Sequence, residues 1–393
     1  MPAGRRAVWL AALCLLPPRP AAAQGAAPKV PIDSLVARAA RDSLDPITHH
    51  DLGVAYVAAR RYDEGEREFL LAAALAPQYA DPYLELAQLP EARGESYWKR
   101  REREAGRDDV RAALEQAHRY YRRAFLINPL VDLRLMADHY QAYRRQPGQL
   151  FYFWWSQGLA DAVAAMHRND FPKAFATVTR LEHDSRARPD RSGLPTAVLW
   201  LRGLLGARLG EYEEALGDIG TLTGRTFAAE TSGQRGALFS TNDYRYTLAT
   251  LRYLAGHYDE AIATFRRSLE FDVGLYQAHI QMARMFEVQK KWDQAIAERQ
   301  AAVTVDPDDG SLIVDLGSTL ISAGRMADAE GALQRAVVAA PRDPRAWYLL
   351  GVVALRTGHR DSARAALTRF VAIAPSRFAE QIAEARQQLA EQQ

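Results

Sequence analysis

The sequence predicts an all-α solenoid, a stack of helix-turn-helix pairs closed by a capping helix. Three observations carry this. Small residues recur every 34 positions through the second half of the chain: Ala261, Ala295, Ala329 and Ala363. Each step holds two apolar stripes of helical period with a break between them. The final stretch, FAEQIAEARQQLAEQQ, is amphipathic through Phe378, Ile382, Ala385 and Leu389 and polar on its outer face, as the end of a stacked array requires.

The register is kept at other positions too. Ala249, Ala283, Gly317 and Gly351 share the step, as do Pro307, Pro341 and Pro375. In the unit 344–375, Asp343 and Pro344 are start signals for a first helix. Trp347, Leu350, Gly351 and Ala354 then recur at i, i+3, i+4 and i+7. Gly358 breaks the chain, a second helix carries Ala363, Leu367, Phe370 and Val371, and Pro375 stops it. Gly351 and Ala363 fall where the two helices face each other, so a large side chain at either would overpack the contact by about 1–3 kcal/mol.

This pattern resembles the tetratricopeptide repeat (TPR) family. The last unit matches at Trp347, Leu350, Gly351, Ala363 and Pro375, and the one before at Leu316, Gly317, Ala329 and Pro341. Near the N-terminus, Leu52, Gly53, Tyr56, Phe69, Ala72 and Pro77 keep the register, and further on Gly203 and Ala215 do. Gly65 departs where the family has Ala, and His49 where it often has Trp. The resemblance implies a right-handed α-solenoid that binds a partner, and a bacterial, exported member of the family is expected together with the N-terminal pattern described next.

The expected organisation runs as follows. Residues 1–23 read as a secretory signal peptide: Arg5 and Arg6, an apolar core from Ala7 to Leu16, and Ala21-Ala22-Ala23 as the cleavage site. The alternative is an uncleaved anchor. Residues 24–45 are a leader and short helix. An irregular TPR-like block spans 46–223, with an insert at 89–108 and an aromatic junction at 149–158. A linker loop at 224–241 precedes four regular units at 242–377 and a capping helix at 378–393. Within the insert, WKRREREAGR mixes both signs and reads as a solvated helical extension.

Cleavage after Ala23 would remove three Arg from a chain of formal charge +2, leaving −1, and would also remove Cys14, the one cysteine. The mature chain then offers no electrostatic case for nucleic acid, no disulfide and no thiolate metal site. The expected location is periplasmic or secreted. After the signal no stretch is apolar enough to span a bilayer.

No HExxH, GxSxG, GxGxxG or P-loop pattern occurs, so no enzyme, cofactor or metal site is expected. His49 and His50 are adjacent and would point about 100° apart on a helix. By the TPR resemblance, a concave groove would be lined by the first helix of each unit. The positions are Asp243, Tyr246, Thr250 and Tyr253, then Gln277, Ile280, Arg284 and Glu287. Ser311, Val314, Ser318 and Ile321 follow, then Arg345, Tyr348, Val352 and Arg356. The Lys/Asn clamp of chaperone-tail receptors is missing, because its Asn sites hold Thr250, Arg284, Ser318 and Val352. The leading expectation is a non-enzymatic scaffold that binds a protein or peptide, of unassigned oligomeric state. The alternative is a carbohydrate- or small-ligand-binding protein. It rests on aromatics of the N-terminal block: Tyr120, Tyr121, Tyr140, Tyr143 and the run Phe151-Tyr152-Phe153-Trp154-Trp155. As either helix or strand that run would bury both faces, which favours packing over a flat sugar platform.

Overall fold

A computed structural model of the chain describes residues 30–137, 156–187, 194–233 and 239–391. Among these residues the secondary structure is helical, with no strand. In chain order the helices are α1 (Ile32–Arg41), α2 (Pro46–Ala58), α3 (Tyr62–Leu75), α4 (Ala80–Arg93), α5 (Glu95–Ala105) and α6 (Arg107–Ile127). After helical residues 131–137 come α7 (Ser156–His167), α8 (Phe171–Ala187), α9 (Thr196–Leu209), α10 (Tyr212–Thr231), α11 (Thr241–Leu254) and α12 (Tyr258–Leu269). Then follow α13 (Tyr276–Val288), α14 (Trp292–Val305), α15 (Gly310–Ser322), α16 (Met326–Ala339), α17 (Pro344–Thr357), α18 (Arg360–Ile373), a 3-10 turn (Ser376–Phe378) and α19 (Ala379–Ala390).

The helices pair as antiparallel hairpins: α2 on α3, α7 on α8, α9 on α10, α11 on α12, α15 on α16 and α17 on α18. Two local devices recur in these hairpins. The first is the turn. Residues 256, 290, 324 and 358 are 34 apart, and each takes a left-handed backbone: Gly256, Lys290, Gly324 and Gly358, with φ of 83°, 56°, 79° and 86°. The next residue's N–H then reaches back to cap the first helix. His257 donates to Arg252 (2.8 Å), Lys291 to Phe286 (2.8 Å), Arg325 to Leu320 (2.9 Å) and His359 to Ala354 (2.8 Å). These are Schellman closures, which satisfy carbonyls that a helix end otherwise leaves open.

The second device is a glycine on the first helix facing a large apolar residue 16 positions later on the second. A Cβ on Gly53 would lie 2.5 Å from Phe69, on Gly203 2.8 Å from Ile219, on Gly317 2.7 Å from Leu333, and on Gly351 2.5 Å from Leu367. The sequence pairs Gly351 with Ala363. The structure instead fits a small residue against a large one, with Ala363 fully buried beside it. Ala215, Ala261, Ala295 and Ala329 are fully buried too. Gly65, the departure from the family pattern, has Val57 at 2.7 Å from its would-be Cβ, so a bulkier α2 side chain fills the space an alanine would take.

The chain divides into two compact units. One is Asn128–Ala278; the other joins Lys29–Ile127 to His279–Gln393. This grouping differs from the expected run of an N-terminal block followed by a regular C-terminal array. The reason is packing: α10 lies on α11, which ties the first regular hairpin to the helices before it. The expected linker at 224–241 is also corrected, since α10 continues through 224–231. In that stretch Thr226 is buried, the Thr231 hydroxyl donates to the Phe227 carbonyl, and just before it Leu222 is buried. That packing overrides the Gly/Thr content.

In the discontinuous unit, α4 packs on α6 and steps over α5. From α14 to α19 runs a continuous core through Val314, Leu333, Val353, Leu367 and Phe370, capped by Phe378 and Ala385. The first loop meets the last one. Asp42 accepts from the Ser376 N–H (3.0 Å) and hydroxyl (2.6 Å), and Arg377 donates to Asp45 (2.7 Å). Asp45 also N-caps α2 through Thr48. Deeper in, Arg123 of α6 bridges the Pro77 carbonyl and Asp309 (both 3.3 Å). Asp309, Asp343 and Arg377 stand at the same register position in successive steps.

Candidate functional site

The expected groove positions belong to two units and are taken separately. On α11, Asp243 serves the helix itself: it forms a capping box with Ser240. Tyr246 is 1% exposed and meets Phe265 edge-on at 5.4 Å. The Thr250 hydroxyl donates to the Tyr246 carbonyl (3.0 Å). Tyr253 is half-buried against Tyr258. Gln277, at the start of α13, is buried.

In the discontinuous unit the row runs over α13, α15 and α17. Ile280, Ser311, Val314, Ser318, Ile321 and Tyr348 are buried. The Tyr348 ring packs on Phe370 and its hydroxyl donates to Glu384 of α19 (2.9 Å). Arg284 and Val352 are half-buried and Arg356 is exposed. Trp347 donates its indole N–H to the Pro341 carbonyl (3.0 Å), an anchoring role within the hairpin stack.

Glu287 and Arg345 are held by a buried ion network that sequence reasoning missed. Arg299 of α14 is 4% exposed. It donates to both Glu287 oxygens (3.1 and 3.3 Å) and to Asp315 (3.2 Å), which is 3% exposed. The Thr319 hydroxyl also donates to Glu287 (2.6 Å). Arg345 reaches Asp315 (3.4 Å) and Asp343 (2.7 Å). The network thus links three successive helix pairs, and its charges compensate one another. Arg202 does similar work in the other unit, where it is buried between Glu182 and Asp218. Burial holds the Asp218 carboxyl above its ordinary value despite Arg202. A charged residue inside an otherwise apolar helix face was the available signal.

Among the described residues the adjacent histidines and several aromatics are held in specific contacts. Burial opposes charge on His49. Its hydrogen bonds to Glu68 (2.6 Å) and the Ser43 carbonyl (3.0 Å) outweigh that and raise it above the ordinary imidazole value. His50 is buried and raised as well, against burial, by Asp51 and Glu85. His279 repeats the His49 arrangement, with Glu298 at 2.7 Å, again 19 residues on. Among the described residues no three His, Cys, Asp or Glu side chains converge as a metal site. Tyr120 lies on Tyr83 and Tyr121 on Phe125. Tyr140, Tyr143 and Phe151–Trp155 lie outside the described residues. A different aromatic cluster stands in the Asn128–Ala278 unit. Trp200, Phe239 and Tyr244 meet at 5.0–5.7 Å, and the Trp200 N–H donates to Asp132 (2.8 Å). Burial, with Asp132 and Asp243 nearby, pushes the Tyr244 phenol up to about 12. Trp200 and Tyr244 are fully enclosed, so this is packing. No described helix is long and apolar enough to cross a membrane.

Helix hairpins in a 34-residue register, glycine-to-large contacts and a terminal capping helix define the fold as a TPR-type α-solenoid. Residues 178–371 match a family model described as the Cilia and flagella-associated protein 70 C-terminal domain. Over 115 residues the chain is 28% identical to the general transcriptional corepressor trfA of Dictyostelium discoideum. That stretch is 29% of this chain and 8% of the relative's length. Three solved structures are similar. The C-terminal part of a TPR repeat-containing protein from Cytophaga hutchinsonii is 13% identical at a TM-score of 0.47, over 60% of this chain and 87% of that one. MamA from Desulfovibrio magneticus is 18% identical at 0.36, over 45% and 94%. Yeast Tom70 is 13% identical at 0.28, over 92% of both.

Proposed function

We propose that this chain is an exported, non-enzymatic scaffold of a bacterial cell envelope, and that it binds a protein or peptide along the first-helix row of α13, α15 and α17. The observation behind this reading is how that row divides. Val314, Ser318, Ile321 and Tyr348 make a packed floor, while Arg284, Val352 and Arg356 keep solvent access at its rim. A rigid floor with a few accessible Arg and apolar side chains suits peptide capture, since Arg is a frequent binding anchor. Export rests on the N-terminal pattern of Arg5, Arg6, the apolar core and the Ala triplet.

The test is site-directed photo-cross-linking from position 352 in the native host, beside the Arg284→Ala/Arg356→Ala variant. A cross-linked partner lost in that variant supports the row as the binding face. Partners captured equally by wild type and variant would remove it. Intact-mass measurement addresses export: a mature chain starting at Gln24 is expected, and a retained Met1 would refute cleavage.

A further inference from the structure

We propose that His49 is a proton-operated latch: charged, it holds the loop between α1 and α2 against the turn before α19, and on losing its proton it lets that loop go. The geometry of the ring carries this. His49 is 6% exposed, and both of its nitrogens face acceptors. Nδ1 lies 2.6 Å from the Glu68 carboxylate on α3, and Nε2 lies 3.0 Å from the Ser43 carbonyl. A neutral imidazole has one N–H and one lone pair, so it can serve only one of the two as a donor. With its second proton both contacts are hydrogen bonds, and the one to Glu68 is charge-assisted. The balance is the same if the Nδ1 proton passes to Glu68. When the pair gives up that proton, the remaining N–H stays with the carboxylate, the stronger acceptor. The Nε2 lone pair then faces the Ser43 oxygen, and the carbonyl loses its bond.

Ser43 stands between the two residues that reach the other end of the chain. Asp42 accepts from the Ser376 N–H and hydroxyl, and Asp45 accepts from Arg377. All three belong to the short loop 42–45, so a loop released at Ser43 shifts both carboxylates. The other groups around the ring set when this happens. Asp45 favours the imidazolium together with Glu68, and Arg377, from the turn before α19, offsets part of the Asp45 charge. Arg38 of α1 is engaged by Thr48 (2.7 Å) and Asp51 (3.3 Å). From α4, Glu85 stands 3.7 Å from His50, the neighbouring ring, which also has Asp51 at 3.7 Å and the Asp81 charge nearby. His50 thus titrates against its own carboxylates, while the Ser43 carbonyl belongs to His49. The balance keeps the folded His49 above the ordinary imidazole value. The latch is therefore closed below that ordinary value and opens as pH rises through the folded one.

The test uses the full chain. Nitrogen NMR of histidine-labelled protein reads the charge and tautomer of His49. Hydrogen–deuterium exchange, corrected for the intrinsic pH dependence of exchange, reads the Ser376 amide. At a pH of about 6 an imidazolium and a protected Ser376 amide are expected. By a pH of about 9 His49 should be neutral with its proton on Nδ1, and Ser376 protection should fall by at least about tenfold, the change that one unit of pKa shift carries. Glu68→Gln is the discriminating variant. Its amide can donate to Nδ1, so a neutral ring keeps its Nε2–H on Ser43, and Ser376 should stay protected at both pH values. A merely structural contact would be weakened by that change rather than freed of its pH dependence. A neutral His49 at the lower pH would overturn the proposal. So would Ser376 protection that stays constant while His49 titrates, or a Glu68→Gln variant that loses protection with pH as wild type does.

Discussion

Replacing glycine by alanine should have opposite effects at two helical positions of the same unit. Gly351, in α17, faces Leu367: an added Cβ would lie 2.5 Å from Cδ2 and 2.6 Å from Cγ. Leu367 is 1% exposed, so it has nowhere to retreat without disturbing the core around Phe370. Overpacking of this sort costs about 1–3 kcal/mol, while the gain in helix propensity returns about 1 kcal/mol. The net effect is a loss of up to about 2 kcal/mol. Gly331, in α16, is exposed and has nothing within 4 Å of its would-be Cβ. Only the propensity term acts there, so Gly331→Ala should stabilise by about 1 kcal/mol. Urea unfolding followed by circular dichroism gives both values. In a Leu367→Ala background the Gly351→Ala penalty should shrink toward zero, because the clashing atoms are gone. Equal stability of the two single variants, or an undiminished penalty in the double variant, would refute the close-approach account.

Four further outcomes are expected. Lys290 sits at φ 56° where the other turns of its register have Gly, so Lys290→Gly should stabilise by about 0.5–1 kcal/mol in the same unfolding assay. Arg299→Ala leaves Glu287 and Asp315 without their shared cation and should cost about 3–5 kcal/mol, read as a lowered melting temperature. His49 has a raised folded pKa, so its contribution is full below the ordinary imidazole value near 6.5 and is lost as pH rises through the folded value. Melting temperature should fall between mildly acidic and alkaline pH, and Glu68→Gln should flatten that slope. Finally, Arg377→Asp should separate the loop after α1 from the turn before α19, seen as faster proteolysis near Asp42, and a charge-swapped Asp45→Arg/Arg377→Asp pair should slow it again.

The hairpins were legible in the sequence because local chemistry fixes them. Gly358, Asp343-Pro344 and the small residues Gly351 and Ala363 all act within one 34-residue step, although the residue that Gly351 faces is Leu367. Three kinds of feature were not legible. Polar contacts between distant segments, such as Asp42 with Ser376 or Arg123 with Asp309, join residues whose own neighbourhoods look like any solvated turn. The depth of groove positions was hidden as well. Tyr246 and Tyr348 are placed on the first helix by register, but their ring contacts with Phe265 and Phe370 depend on where the second helix sets those rings. The helix at 224–231 was masked by its composition, since threonine and glycine lower propensity, whereas its packing on α11 is a tertiary contact.

The meeting of Asp42 and Asp45 with Ser376 and Arg377 has a consequence in time. A polypeptide is made from its N-terminus, so α1 and α2 exist long before the residues that complete their surroundings. Asn128–Ala278 must be synthesised, and can fold, in the interval. The loop between α1 and α2 must therefore wait, partly unsupported, until the chain has been made as far as Arg377. A stop codon just before Ser376 would strip the cap from the last core and, in the same stroke, unmoor the loop after α1.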